Sequence, residues 1–288
     1  TVVTGVAGSG KSSLLAELAE RHAATVIDQR AVAANRRSTP VTYTGIGPAV
    51  RKLFARAHGV GAGLFSANSQ GACPECGGTG VVFTDLAFMD GQSVTCEACG
   101  GAKFNPEALA YTVAGLTIAD VEALTVDEAR HRLPDPGIAE ALRHLGDVGL
   151  GYLTLGQPLS TLSGGECQRV KIARELRAAT RGALYVLDEP TTGLHLDDVE
   201  TLLGVLDRLI DAGNTVAVIE HNLAVVRRAD WVVDLGPGPG QHGGRVLFTG
   251  PPSALRDCEE SLTGAALRAS EDARTGRHDV VRVELPLP

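Results

Sequence analysis

The alternation of apolar and polar residues divides the chain into a patterned start, an irregular middle and a strongly patterned later part. Thr1-Val2-Val3-Thr4 predicts a short strand, and Leu14, Leu15 and Leu18 on one face predict a helix from 12 to about 22. Val26-Ile27 predicts a second strand ending at Asp28-Gln29. From about 31 to 68 the apolar positions lose their period among Gly, Arg and Ser. Helical patterns then predict short helices over 118–124, 126–133 and 138–145, punctuated by Gly, Pro134 and Pro136. The unbroken apolar run 183–187 predicts a strand buried on both faces. A helix follows, with Val199, Leu202, Leu203, Leu206, Leu209 and Ile210 three and four residues apart, stopped by Gly213. Residues 215–219 predict another buried strand, Asn222 a cap for a short helix to 228, and 231–235 a further strand. Beyond 256 the pattern fades, which predicts a loosely attached tail.

Composition adds limits. A chain of 288 residues with 44% hydrophobic and 21% charged residues is an ordinary globular balance, long enough for one large domain or two. With only 4% aromatics, the core must be built from Val, Leu, Ile and Ala. No apolar run approaches the roughly 18 residues of a membrane span, so a soluble, cytoplasmic protein without membrane partners is expected. The net charge of −8 opposes attraction of nucleic acid over the whole surface, but charge is uneven. Arg36, Arg37, Arg51, Lys52 and Arg56 form a basic stretch that is a candidate duplex-DNA surface. A solvated basic face, or contacts to a missing half of the protein, explains it equally well. A phosphate-binding motif so close to the first residue also reads as the start of a fragment.

Gly5-Val6-Ala7-Gly8-Ser9-Gly10-Lys11-Ser12 fits G-x4-G-K-[ST] between a strand and a helix. Its glycines let backbone N–H groups close on phosphate oxygens, and the helix start adds a favourable field. Lys11 is assigned to the β/γ-phosphates of ATP, and the hydroxyl of Ser12, next to Ser13, to Mg²⁺. The strand at 184–188 delivers Asp188 for the metal and Glu189 for the attacking water. Cys73-x2-Cys76 and Cys96-x2-Cys99, 19 residues apart, suit a tetrahedral Zn²⁺ site closing a hairpin too small to hold itself together. Disulfides are the alternative; Cys167 and Cys258 read as ordinary thiols.

Leu162-Ser163-Gly164-Gly165-Glu166, with its serine 25 residues before Asp188, resembles the signature motif of ATP-binding-cassette ATPases. Asp188-Glu189-Pro190-Thr191-Thr192 resembles their Walker B region, and His221, 33 residues after Asp188, their switch histidine. Gln29 is placed like the family's Q-loop glutamine. The resemblance implies that Ser163, Gly164 and Gly165 contact a nucleotide held by a second nucleotide-binding domain, so one chain cannot complete a site. With 152 residues from Lys11 to Ser163 and a Cys₄ module between them, the chain resembles the C-terminal nucleotide-binding half of the UvrA family of bacterial excinuclease proteins. Supporting segments include Asp147-Val148-Gly149-Leu150-Gly151-Tyr152 and Asp234-Leu235-Gly236-Pro237.

That resemblance implies an α/β ATP-binding-cassette core over 1–35 and 181–260. A mostly helical signature domain, 36–180, would interrupt it and carry the zinc module at 73–99, with a tail at 261–288. It also implies ATP hydrolysis coupled to DNA-damage recognition in nucleotide excision repair, a homodimer of the full-length protein and a UvrB-like partner. The hairpin departs from the family's charged pattern, because 81–91 contains no basic residue. This keeps open a second expectation, a UvrA-like ATPase of antibiotic self-resistance. A zinc-organised binding module with an inert ATP site is a third, opposed by intact Lys11, Asp188, Glu189 and His221. A transporter motor ranks last, because the long zinc-bearing insertion is foreign to those proteins.

Overall fold

The computed structural model describes residues 1–30, 37–86, 89–178 and 181–274, the side chains of 83–92 and 272–274 excepted. Its strands are β1 (Val2–Gly5), β2 (Thr25–Ile27), β3 (Val81–Leu86), β4 (Met89–Thr95), β5 (Leu184–Asp188), β6 (Thr215–Ile219), β7 (Val232–Gly236) and β8 (Arg245–Gly250). The helices run α1 (Lys11–Arg21), α2 (Pro40–Tyr43), α3 (Gly47–His58), α4 (Pro106–Leu109), α5 (Ile118–Ala123) and α6 (Val126–Arg132). They continue with α7 (Pro136–Asp147), α8 (Gly164–Ala178), α9 (Leu196–Asp211), α10 (Leu223–Arg228), α11 (Pro252–Leu255) and α12 (Leu262–Arg274). No described helix is long and apolar enough to cross a membrane.

The chain divides into two compact units. The first gathers Thr1–Val26, Gly182–Thr192 and Gly213–Pro288. Its sheet runs β2-β5-β6-β1-β7-β8, with β1 parallel to β6 and β7, β5 parallel to β6, and β8 antiparallel at the edge. Parallel strands buried on both faces read as near-continuous apolar runs, which is why β5, β6 and β7 follow the sequence pattern closely. Val3, Val186, Ala217, Ile219 and Leu235 from four strands pack with Leu15 of α1 into one core. Burying a Leu or Ile side chain in it stabilises by about 2 kcal/mol. The parallel order places the ends of β1, β5 and β6 side by side, where the motif-bearing loops begin.

The same unit corrects the tail at 261–288. Leu262–Arg274 is a helix whose Leu267 is buried, and Ser261 Oγ donates to buried Asp234 at 2.5 Å. Sparse leucines hid it, because a single buried position per few turns leaves no period to read. Residues 275–288 lie outside the described residues.

The second unit comprises Ile27–Arg181 with Gly193–Ala212. The expected boundaries differ here too: 27–30 and α9 cluster with the helical unit, not with the core. Helices α5, α6 and α7 start at the capping residues Thr117, Thr125 and Asp135, and the two threonines form capping boxes with Asp120 and Glu128. The stretch 31–68, which shows no period, nevertheless contains α3, with Val50 and Phe54 buried one turn apart and Phe54 packed on Phe65 at 5.1 Å. Strands β3 and β4 form the hairpin between the cysteine pairs.

Candidate functional site

In the first unit, β1 hands the chain into the phosphate loop. Gly8 and Gly10 take positive φ of 74° and 96°, and Gly10 is the N-cap of α1. Lys11 is buried, and its Nζ donates to the carbonyls of Gly5 at 2.9 Å and Val6 at 2.8 Å. Burial pulls the Lys11 ammonium below its ordinary range, against the opposing charges of Glu189, Asp188 and Asp234. Ala7, Gly8, Gly10, Lys11, Ser12, Ser13, Glu189, Ile219 and His221 line one open cleft of about 380 Å³. Sequence positions more than 200 apart are therefore neighbours there. Gly5 and Ser9 are not in the lining: Gly5 ends β1, and buried Ser9 keeps its Oγ away from every described partner. Asp188 ends β5, in register with Ile219 of β6.

Glu189 carries φ of +45°, a conformation a glutamate seldom adopts, with its N–H donating to Ile219 O at 3.0 Å. Its Oε1 stands 3.5 Å from His221 Nε2, both side chains being nearly half exposed. What holds this arrangement was missed in the sequence. Buried Glu220 accepts from Thr191 N–H at 2.8 Å and Thr191 Oγ1 at 2.6 Å through one oxygen. Its other oxygen accepts from His221 N–H at 2.9 Å and Asn222 N–H at 3.1 Å. One carboxylate thus fixes the turn after Glu189 and the turn bearing His221. The only available signal was an acid between an apolar strand and a histidine.

In the second unit, Ser163 and Glu166 form a capping box at the start of α8. Ser163 N–H and Oγ donate to Glu166 Oε2 at 2.7 and 2.8 Å, and Tyr152 Oη donates to Oε1 at 2.5 Å. Burial alone would raise the Glu166 carboxyl, but the hydrogen bonds from Tyr152 and Ser163 outweigh it and hold it low. Gly164 leaves room for Gln29, whose carbonyl oxygen would lie 3.0 Å from a Cβ there. Two α8 side chains that sequence reasoning passed over secure the glutamine segment. Gln168 Nε2 donates to Ile27 O at 3.0 Å, and Lys171 Nζ to Asp28 Oδ1 at 2.6 Å, Asp28 O at 3.0 Å and Arg30 O at 3.0 Å. Gln29 and the signature residues Ser163–Gly165 thereby belong to one local assembly.

The four predicted cysteines converge. Their sulfurs lie within 4.8 Å of one another, with Cys73–Cys96 at 3.9 Å and Cys76–Cys99 at 3.8 Å. A tetrahedral zinc with bonds of about 2.3 Å gives edges of about 3.8 Å, so the donor set fits a Cys₄ ion and not disulfides. Gly80 N–H donates to Cys76 Sγ at 3.3 Å. Burial raises the Cys76 thiol, but the N–H groups of Gly80 and Gly78 with neighbouring thiols bring it down to about 6. Burial and the Cys96 and Cys76 thiols push its neighbour Cys99 up to about 11, so one thiol gives up its proton at the other's expense.

The basic stretch is only partly gathered. Arg37 and Arg51 line a small cleft with Lys103, Thr39, Thr42 and Asn68. Lys52 is exposed on α3, whereas Arg56 is tied to Asp135 Oδ2 at 3.2 Å, a satisfied pair and not a free cation. Arg36 lies outside the described residues.

Known proteins decide the family. The family model described as ABC transporter matches residues 73–192, and one described as viral superfamily 1 RNA helicase core domain matches 1–55. UvrABC system protein A of Thermus thermophilus is 47% identical over 91% of this chain and 31% of its own length. The Aquifex aeolicus protein is 44% identical over 92% of the chain and 32% of its own. The crystal structure of UvrA2 from Deinococcus radiodurans superposes with a TM-score of 0.84 at 45% identity, over 93% of this chain and 36% of that one. This chain is a nucleotide-binding half of the UvrA family. It spans about a third of the length of those relatives. The ABC transporter model covers the signature segment and β5 to Thr192, and the α/β core with a Cys₄-bearing insertion is the architecture that resemblance implies.

Proposed function

We propose that the chain is the ATPase half of a UvrA-type protein that binds DNA and couples ATP hydrolysis to damage recognition in nucleotide excision repair. The observation that carries this reading is the convergence of Lys11, Ser12, Glu189 and His221 on one cleft. Lys11 is the cation for the terminal phosphates. Glu189, in reach of His221, orients the attacking water and receives its proton, while His221 contacts the γ-phosphate. Ser12 and Asp188 are the ligands for Mg²⁺, which supplies charge neutralisation between the phosphates. Ser163, Gly164 and Gly165 serve a nucleotide on a partner nucleotide-binding domain, since a helix start suits a phosphate; the Ser163 hydroxyl, which donates to Glu166 here, turns to the phosphate when it binds. The working protein is then a cytoplasmic dimer that closes on ATP, contacts duplex DNA through the Arg37–Arg51 cleft and passes it to a UvrB-like protein. Zn²⁺ on the four thiolates keeps the hairpin folded.

The test is ATP turnover of the full-length protein with damaged and undamaged duplex, with and without Glu189→Gln. We expect turnover to fall about 10²- to 10⁴-fold in the variant while ATP still binds. Unchanged turnover removes the assignment of Glu189. The absence of any basic residue in 81–91 favours a second reading, a self-resistance ATPase that answers to a drug. Stimulation by a DNA-bound drug with no preference for damaged duplex selects it.

A further inference from the structure

Eight residues, 237–244, join Gly236 of β7 to its antiparallel partner Arg245 of β8, where two to five commonly suffice. The extra length reaches the phosphate loop. Gly240 N–H donates to Gly8 O at 3.0 Å, and Gly244 N–H donates to Ser9 O at 3.0 Å. The loop is itself braced: Gly238 N–H donates to His242 O at 3.2 Å and Gly243 N–H to Gly240 O at 2.9 Å. Approach is close enough that a Cβ on Gly243 would meet Ser9 Cα at 3.0 Å and Gly238 O at 2.7 Å. Pro239 Cβ would sit 3.1 Å from a Cβ on Gly8.

A trans peptide holds its C=O and the following N–H in one plane, pointing in opposite directions. Fixing the carbonyls of Gly8 and Ser9 toward 237–244 therefore turns the N–H groups of Ser9 and Gly10 the opposite way: Ser9 N–H closes the loop on Val6 O at 3.2 Å, and the direction of Gly10 N–H is set with it. In a phosphate cradle made of backbone donors, that choice is the binding geometry. We propose that residues 238–244 are a positioning strap for the phosphate loop, setting the orientation of two of its peptide planes before nucleotide arrives. The inference rests on the ATPase reading and adds a second element to its P-loop. The strap touches no reacting atom; it acts through Gly8 and Ser9. Its expected signature is weaker capture of MgATP, because each lost peptide orientation removes a preorganised donor.

Gly243→Ala is the direct probe. Gly243 has φ of −97°, so alanine is conformationally acceptable there, and its Cβ presses both on Ser9 Cα of the P-loop and on Gly238 O within the strap, loosening the strap and its hold on the loop together. In the full-length protein we expect KM for MgATP to rise about 5- to 30-fold, the loss of one or two net hydrogen bonds, with kcat within about twofold and little change in melting temperature. Pro239→Gly, which loosens the strap without a clash, is expected to raise KM in the same direction by less. It decides the matter if Gly243→Ala does not fold. A folded variant with wild-type KM, or one that loses kcat at unchanged KM, overturns the strap. Wild-type protein that binds no MgATP, or a Lys11→Ala variant with unaltered KM, instead overturns the nucleotide reading beneath it.

Discussion

The cleft of the first unit and the cysteine hairpin of the second both cradle charge, but they obtain their shape from opposite sources. The cleft takes its form from a six-stranded sheet with an apolar core, so its ligand-facing groups stand in place before any ligand does. The hairpin is two strands between two cysteine pairs, and among its described residues Val82 and Val94 are substantially exposed. A lone two-stranded hairpin is marginal in water. On the proposed reading, one region meets its nucleotide with a finished site, and the other is finished by its metal.

The strongest way to break this contrast is to remove the metal. Chelation, or Cys73→Ser with Cys96→Ser, is expected to unfold the hairpin, because structural zinc contributes on the order of 10 kcal/mol to such modules. Hydrogen exchange should show loss of protection over 73–99 with the β1–β6 amides unaffected; simultaneous loss in both places would show that the cleft also depends on zinc. The next effect is smaller. Glu220→Ala leaves Thr191, His221 and Asn222 donors without a buried acceptor, and we expect about 2–4 kcal/mol of lost stability with reduced turnover. Denaturant unfolding alongside an ATPase assay checks it; a variant with wild-type turnover would mean that the Glu189 turn holds itself.

The smallest effect concerns Asp28. Burial raises its carboxyl, but Lys171 and Arg30 together outweigh that and hold it below its ordinary value of 3.8. Folding therefore favours the ionised form, and this stabilisation is complete above pH 3.8 and disappears as pH falls through the depressed value. Asp28→Asn should cost on the order of 1 kcal/mol at neutral pH, with the gap to wild type closing below pH 3.8. A gap that is constant with pH would assign the effect to packing. Because Asp28 adjoins Gln29, this variant also tests whether the signature assembly, like the cleft, is built by the chain alone.

Much of this was legible in the sequence where one physical cause acted alone. β6 runs from Thr215 to Ile219 as its apolar run dictates, and Asn222 caps α10 by accepting from Ala224 N–H at 2.9 Å. The cysteine spacing found the four converging thiols because tight turns bring each pair together locally. Features needing tertiary partners were invisible. α3 shows two buried side chains among arginines and alanines, and β8 is an edge strand whose apolar run is only Val246-Leu247-Phe248, too short to stand out. Glu220, Lys171 and the 237–244 loop carry no pattern of their own; their roles exist only once distant segments meet.

The shared carboxylate of Glu220 has one more consequence. Because the turns of Thr191 and His221 are each bolted to one of the two oxygens of a single carboxylate, neither can drift while the other stays. Turnover at this centre should then behave as a coin with two faces: sequence variation here would yield enzymes that either work or do not, with few graded forms between.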